Sequence, residues 1–207
     1  TALALLPADT WRWWLAANAP ETGDADFTVA RFVEGVNSDL ADCFGNLVNR
    51  CLSFVSSRFE ATVPEGGQPG PLERKLVVAL DGHLTRLREH HAALSFRKAA
   101  GETRAVWSLA NAYLAEAAPW RAIKENRRRA SCVARIGVNL VRVAALVGWP
   151  FIPFAAANVL CSLGEDGESV RWPESGHKAL TAIAAGRRFS VPPPLFPKIT
   201  GEALTLP

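Results

Sequence analysis

"DFTVARFVEGVNSDLADCFGNLVNRCLSFVSSRFE", residues 26–60, decides the fold class of this chain. Its apolar side chains (Val29, Phe32, Val33, Val36, Leu40, Cys43, Phe44, Leu47, Cys51, Leu52 and Val55) recur every three to four residues, the period of an amphipathic helix. Asp26 or Thr28 can cap its start, and the turn-rich "PEGGQPGP" (64–71) closes the segment. Beyond it, Pro71 suits the first turn of a second helix, with Leu72, Leu76, Leu80, Leu84 and Leu87 on one face. A third helix is predicted from about Ala93 to Ala117, stopped by Pro119 because the residue before a proline is disfavoured in helix. A fourth spans about Arg128 to Val147 and ends at "GWPFIP" (148–153); a short fifth follows from Phe154 to Leu163. The tail "RWPESGHKALTAIAAGRRFSVPPPLFPKIT" (171–200) is rich in Pro and Gly and is expected to wrap the bundle as loops. The fold class is therefore all-α: a helical bundle of about five helices with an irregular C-terminal tail. The expected divisions are 1–26, a leading segment; 27–165, the bundle; and 166–207, the tail packing back on it.

Composition narrows the function. With 207 residues, 49% hydrophobic and 21% charged, the chain can bury a sizeable core and is not of disordered type. The longest apolar candidate, "IGVNLVRVAALVGWPFIPFAAANVL" (136–160), is interrupted by Asn139, Arg142, Pro150 and Pro153, so it reads as core helices rather than a membrane span. The opening "TALALLPADTWRWW" lacks the basic start of a secretory signal. Cys43, Cys51, Cys132 and Cys161 form no CxxC pair, and His83, His90, His91 and His177 are scattered. The cysteines are read as reduced core thiols, and the protein as cytoplasmic and metal-free. Phosphate-cradling glycine loops, nucleophile elbows and paired metal-spaced histidines are all missing from the sequence, so no catalytic residue is assigned.

Charge points elsewhere. Residues 1–70 carry 4 basic and 9 acidic side chains, residues 71–150 carry 14 and 6, and residues 151–207 carry 5 and 5. The positive excess is thus concentrated mid-chain, as polyanion binding requires. Within it lies "NAYLAEAAPWRAIKENRRR" (111–129), where Pro119 holds Trp120 at a helix corner ahead of Arg121, Lys124, Arg127, Arg128 and Arg129. An indole beside cations is how unpaired bases are gripped, although most of the seven tryptophans must be core and arginine clusters commonly form solvated faces. On the first helix Asn46 and Arg50 lie one turn apart, about 80–120° from the Leu40–Leu47–Cys51 stripe at the helix period. An amide and a planar guanidinium there suit base edges, and equally suit an ordinary helix surface.

Taken in order, these segments resemble the methionyl-tRNA synthetase family of class I aminoacyl-tRNA synthetases. "LPADTWRWWLAANAPETGDADFT" resembles the segment joining that family's catalytic core to its helical domain, and "VNSDLADCFGNLVNRCLSF" its first anticodon-domain helix. "NAYLAEAAPWRAIK" resembles its Pro-Trp corner, and "WPFIPFAA" with "PPPLFPKI" its closing elements, so the likeness spans roughly residues 5 to 200. The resemblance implies that residues 1–26 end the stem-contact region and that residues 27–165 are the anticodon-binding bundle. It places the anticodon-reading amide and guanidinium on Asn46 and Arg50. It places the ring that stacks on the first base of CAU on Trp120, posed by Pro119. Lys124, Arg127, Arg128 and Arg129 are candidates for RNA phosphates on charge alone. The implied partners are the anticodon stem-loop of tRNA(Met) and the catalytic domain of the same synthetase, with no membrane and no DNA. The family's two ATP-site signatures and its metal-binding insertion do not occur here, so this chain alone is expected to be non-catalytic and to hold no cofactor; ATP, Mg and the insertion's metal, with Zn as candidate, belong to the catalytic half. The favoured expectation is a piece of a full synthetase. A free-standing RNA-binding or adaptor paralogue is the alternative, and a purely structural bundle leaves the coincidence of Asn46, Arg50, Trp120 and the basic run unexplained.

Overall fold

The computed structural model describes residues 2–21, 23–166 and 171–204. Residues 167–170 and 205–207 of the expected tail lie outside the described residues. In chain order the elements are α1 (Ala2–Leu5), α2 (Ala8–Ala17), α3 (Val29–Val36), a π-wound stretch (Asn37–Gly45), α4 (Asn46–Phe59), α5 (Pro71–Ala92), α6 (Phe96–Ala117), α7 (Pro119–Glu125), α8 (Arg127–Gly148), α9 (Pro153–Ser162), α10 (Gly176–Thr181) and a 3-10 turn (Gly201–Leu204). Among the described residues no strand forms, apart from an isolated antiparallel bridge between Thr62 and Arg188. The all-α expectation holds.

The bundle is organised around α8. Every residue from Ala130 to Gly148 except Arg135 is buried, against α4, α6, α7, α9 and α10. By length and hydropathy α8 is the one described helix that could cross a bilayer, but its apolar surface is covered by these neighbours, as a core helix requires. Close approach depends on Gly137: a Cβ there would lie 2.8 Å from Cys51 Sγ and 3.2 Å from Leu114 Cδ2, so α4 and α6 can both touch α8. Two polar residues of α8 hold the C-terminal part of the chain in place. Asn139, fully buried, donates to Ile183 O (3.1 Å) and accepts from Ile183 N–H (2.7 Å), and Arg142 Nε faces both oxygens of Glu165 at 2.7 and 2.8 Å.

Residues 29–59 form one continuous helical rod whose middle is unwound to π geometry. The Asn46 N–H reaches back five residues to Ala41 O, and Gly45 suits the wider turn because a Cβ there would sit 3.1 Å from Leu40 O. Phe32, Val36, Leu40, Phe44, Val48 and Leu52 are buried, whereas Val29 is 43% exposed at the mouth of the rod.

Several expectations are corrected. The third helix starts at Phe96 rather than Ala93, because α5 continues through Ala92 and Leu94 turns the chain with a left-handed φ of 53°. Leu72 stays half-buried while its neighbour Glu73 is buried. In the leading segment, Trp13 (1% exposed) stacks on Trp107 at 4.6 Å, and Asp9 Oδ2 accepts the Ala155 N–H at 2.7 Å, capping α9 from a distance. The tail contains α10, capped by Ser175 Oγ on the Lys178 N–H at 3.3 Å. Of the cysteines, Cys51 and Cys132 are core, Cys43 is half-buried and Cys161 is exposed.

Candidate nucleic-acid interface

The corner between α6 and α7 follows from its sequence. Pro119 has no N–H to give α6 and crowds the helical conformation of Ala118, which instead adopts φ 40°, ψ 60°. Ala118 N–H still closes α6 on Leu114 O (3.0 Å), and its own carbonyl accepts from Arg121 and Ala122 N–H at 2.9 and 3.0 Å. Pro119 is then the first residue of α7, and Trp120 the second. A left-handed alanine costs about 1–2 kcal/mol, and such strain collects at functional sites. Pro119 itself is buried and anchors the corner.

Trp120 is half-buried and stands apart from the core, unlike Trp13, Trp14 and Trp107, which are inside it, and Trp11 and Trp172, which pack on it. Its ring meets Arg50: the guanidinium carbon lies 5.0 Å from the ring centroid, a cation–π contact between residues seventy positions apart. Arg50 and Asn46 are both exposed, one turn apart at the start of α4. Together they line a shallow groove of about 460 Å3 between α4 and α6. The amide, the guanidinium and the indole therefore share one face of the molecule.

The groove has members that helical spacing alone did not single out: Ser38, Asp42 and Cys43 from the π stretch, and Ser108 and Asn111 from α6. Asn111 Nδ2 donates to Cys43 O and to Trp107 O, both at 3.0 Å, tying the π stretch to α6. Asp39, in the same stretch, accepts from Trp13 Nε1 at 3.2 Å and pairs with Arg104. Burial pushes the Cys43 thiol up, so it sits in the groove as a thiol rather than a charged group. An asparagine in a helix interior is the signal that could have pointed to Asn111, because its side chain competes with the backbone there.

The basic run separates into different roles. Asn126 caps α8, its Oδ1 accepting the Arg129 N–H at 3.0 Å, so Arg127, Arg128 and Arg129 occupy the first turn of α8, against the helix dipole. Arg129 is accounted for by an inward ion pair, Nη2 to Glu73 Oε1 at 2.7 Å, and so does not face outward as a phosphate contact. Arg127 lies over the Phe59 ring with its guanidinium carbon 5.1 Å from the centroid. Arg121, Lys124 and Arg128 are exposed.

A family model described as the anticodon binding domain of methionyl tRNA ligase matches residues 63–205, and one described as tRNA synthetases class I (M) matches residues 1–52. The chain belongs to the methionyl-tRNA ligase family. Methionine–tRNA ligase of Caulobacter vibrioides (strain NA1000 / CB15N) is 47% identical over 204 residues, which are 98% of this chain and 36% of that protein. That of Cereibacter sphaeroides (strain ATCC 17029 / ATH 2.4.9) is 46% identical over 201 residues, 97% of this chain and 35% of its own length. The chain thus spans a little over a third of the methionyl-tRNA ligase relatives it matches. The crystal structure of free-state Mycobacterium tuberculosis methionyl-tRNA synthetase superposes with a TM-score of 0.84 at 26% identity, over 96% of this chain and 40% of that one. The same enzyme bound by methionyl-adenylate gives a TM-score of 0.83 over 95% of this chain and 39% of that one, also at 26% identity. Residues 63–205, from α5 onward, match the anticodon-binding domain of that family.

Proposed function

We propose that this chain reads the CAU anticodon of tRNA(Met) for a cytoplasmic methionine–tRNA ligase, holding the tRNA while a catalytic domain of the same synthetase, with ATP and Mg, attaches methionine. The observation that carries this reading is the contact between Arg50 and Trp120 beside the groove lined by Asn46. Single-stranded loops can splay their bases for stacking and for reading on the pairing edge. In this reading the first anticodon base stacks on Trp120. The Arg50 guanidinium, held over the ring in the free protein, moves to the edge of the base, where its planar fork and the Asn46 amide meet complementary donors and acceptors. Arg128, exposed in the first turn of α8, joins Arg121 and Lys124 in holding phosphates, since a helix N-terminus and a cation favour the same anion.

Arg50→Ala is expected to lose most of the preference for a CAU stem-loop over loops changed at the first base, a factor of about 5 to 150 for one bidentate contact. Arg128→Ala should weaken all stem-loops alike and flatten the dependence of log Kd on log salt by roughly one unit. Fluorescence anisotropy with loop variants over a salt series checks both. Equal affinity of the unmodified chain for CAU and scrambled loops would overturn anticodon reading in favour of a general RNA-binding adaptor.

A further inference from the structure

Asn46 stands on a ridge between two depressions. One is the groove with α6. The other, about 350 Å3, lies on the opposite flank between the start of α4 and the C-terminal tail; Asp42, Asn46, Asn49, Leu195, Phe196 and Lys198 line it. We propose that this tail-side groove is a second nucleobase subsite, taking an unpaired base whose exposed edge carries a hydrogen-bond acceptor. The inference rests on the anticodon reading above and adds where a neighbouring base of the same loop is held.

The two walls differ in chemistry. The tail wall is apolar and built in advance. Pro192, Pro193 and Pro194 restrict the backbone ahead of Leu195 and Phe196, both half-buried, and the Phe196 ring meets Phe44 edge-on at 6.3 Å. The tail is clamped to the π stretch by a reciprocal pair, Asn37 Nδ2 to Ile199 O and Ile199 N–H to Asn37 Oδ1, both 2.9 Å. At the rim, Lys198 pairs with Asp42 at 2.9 Å, with both side chains more than half exposed. The helix wall is polar. Asn49 is exposed, and its Oδ1 accepts the Ser53 hydroxyl at 3.0 Å, which fixes the amide and leaves its NH2 to donate. An apolar flank, an oriented amide facing it and a rim cation are the parts that grip an unpaired base. Small-molecule pockets likewise combine an apolar lining with a few placed polar groups. Because Asn46 belongs to both grooves, adjacent bases of one strand can be parted over it, each presenting its own pairing edge. The Pro-rich "VPPPLFPK" (191–198) thereby acquires a role beyond closing the bundle.

The test uses the full chain with stem-loops in which the three anticodon positions are replaced one at a time. Asn49→Ala is expected to weaken the CAU stem-loop about ten- to hundredfold and to abolish discrimination at one position, while the position lost in Arg50→Ala remains discriminated. Lys198→Ala should weaken every loop by a similar factor and reduce the salt slope. If Asn49→Ala discriminates at all positions as the unmodified chain does, the subsite is wrong. Loss at every position together with a lowered thermal midpoint would make Asn49 a structural residue and equally overturn it. Failure of the anticodon reading itself looks different: the unmodified chain then shows no preference at any position.

Discussion

Glu73→Gln is expected to unfold with about 3 kcal/mol less free energy than the unmodified chain, because it removes the buried charge that Arg129, Tyr113 and the Gly70 N–H share. Glu73 is 1% exposed. Its Oε1 accepts from Tyr113 OH (2.9 Å) and Arg129 Nη2 (2.7 Å), and its Oε2 accepts the Gly70 N–H (2.6 Å) that opens α5. One carboxylate therefore ties α5, α6 and α8 together. Burial alone would push this carboxyl up, but the hydrogen bonds from Arg129, Gly70 and Tyr113 together outweigh it and hold it at about 2. Burial and the same carboxylate push the Tyr113 phenol up, so it stays a donor at ordinary pH. The sign of the linkage is that of a depressed acid. Its stabilisation is complete above the ordinary value of 4.5 and is lost as pH falls from there through about 2. At 1.36 kcal/mol per unit this is worth about 3 kcal/mol. Urea unfolding from about pH 5 down to about pH 2 should show a steep loss for the unmodified chain and a shallower one for Glu73→Gln. Parallel pH profiles would show that Glu73 is not the group responsible.

Trp120→Ala is expected to weaken the CAU stem-loop by about 1–3 kcal/mol, the usual worth of one base stacked on one aromatic ring. Stability should barely change, because Trp120 is half-buried and lies outside the core. Trp107→Ala supplies the contrast. That ring is fully buried, stacks on Trp13 and donates to Ala144 O at 3.0 Å, so its removal should cost about 3–5 kcal/mol of folding free energy. The pair separates a ring that holds the fold from a ring that holds RNA. Isothermal titration with the stem-loop and urea unfolding measure the two quantities, and unchanged affinity in Trp120→Ala would remove the indole from the site.

Helical periodicity made the bundle legible, since most buried positions of α4 and α5 follow from spacing alone. The π stretch left a fainter trace. Phe32, Val36, Leu40, Phe44, Val48 and Leu52 are buried at strict intervals of four, which on an α-helix would drift by about 40° per step. The wider turn takes up that drift, so the interval of four was a signal that a three-to-four count absorbs without notice. Glu73 was not legible: an acid in the first turn of a helix looks like any dipole-compensating residue, and its partners lie 40 and 56 positions away. For the same reason Arg129 looked like its neighbours Arg127 and Arg128. The neighbourhood of Asn46 and Arg50 follows from helix geometry. The meeting of Arg50 with Trp120 is a tertiary fact that no local spacing contains; only the family resemblance pointed to it. The short α10, six residues opened by Gly176, carries too little periodicity to stand out from its Pro- and Gly-rich surroundings.

The most direct measurement is a double-mutant cycle of Arg50→Ala and Trp120→Ala on CAU stem-loop binding, with thermal unfolding of all four proteins as control. If guanidinium and indole grip one base between them, the losses are non-additive, with a coupling of about 1 kcal/mol or more. Additive losses within about 0.5 kcal/mol, or no loss in either single variant, would contradict a shared reading site.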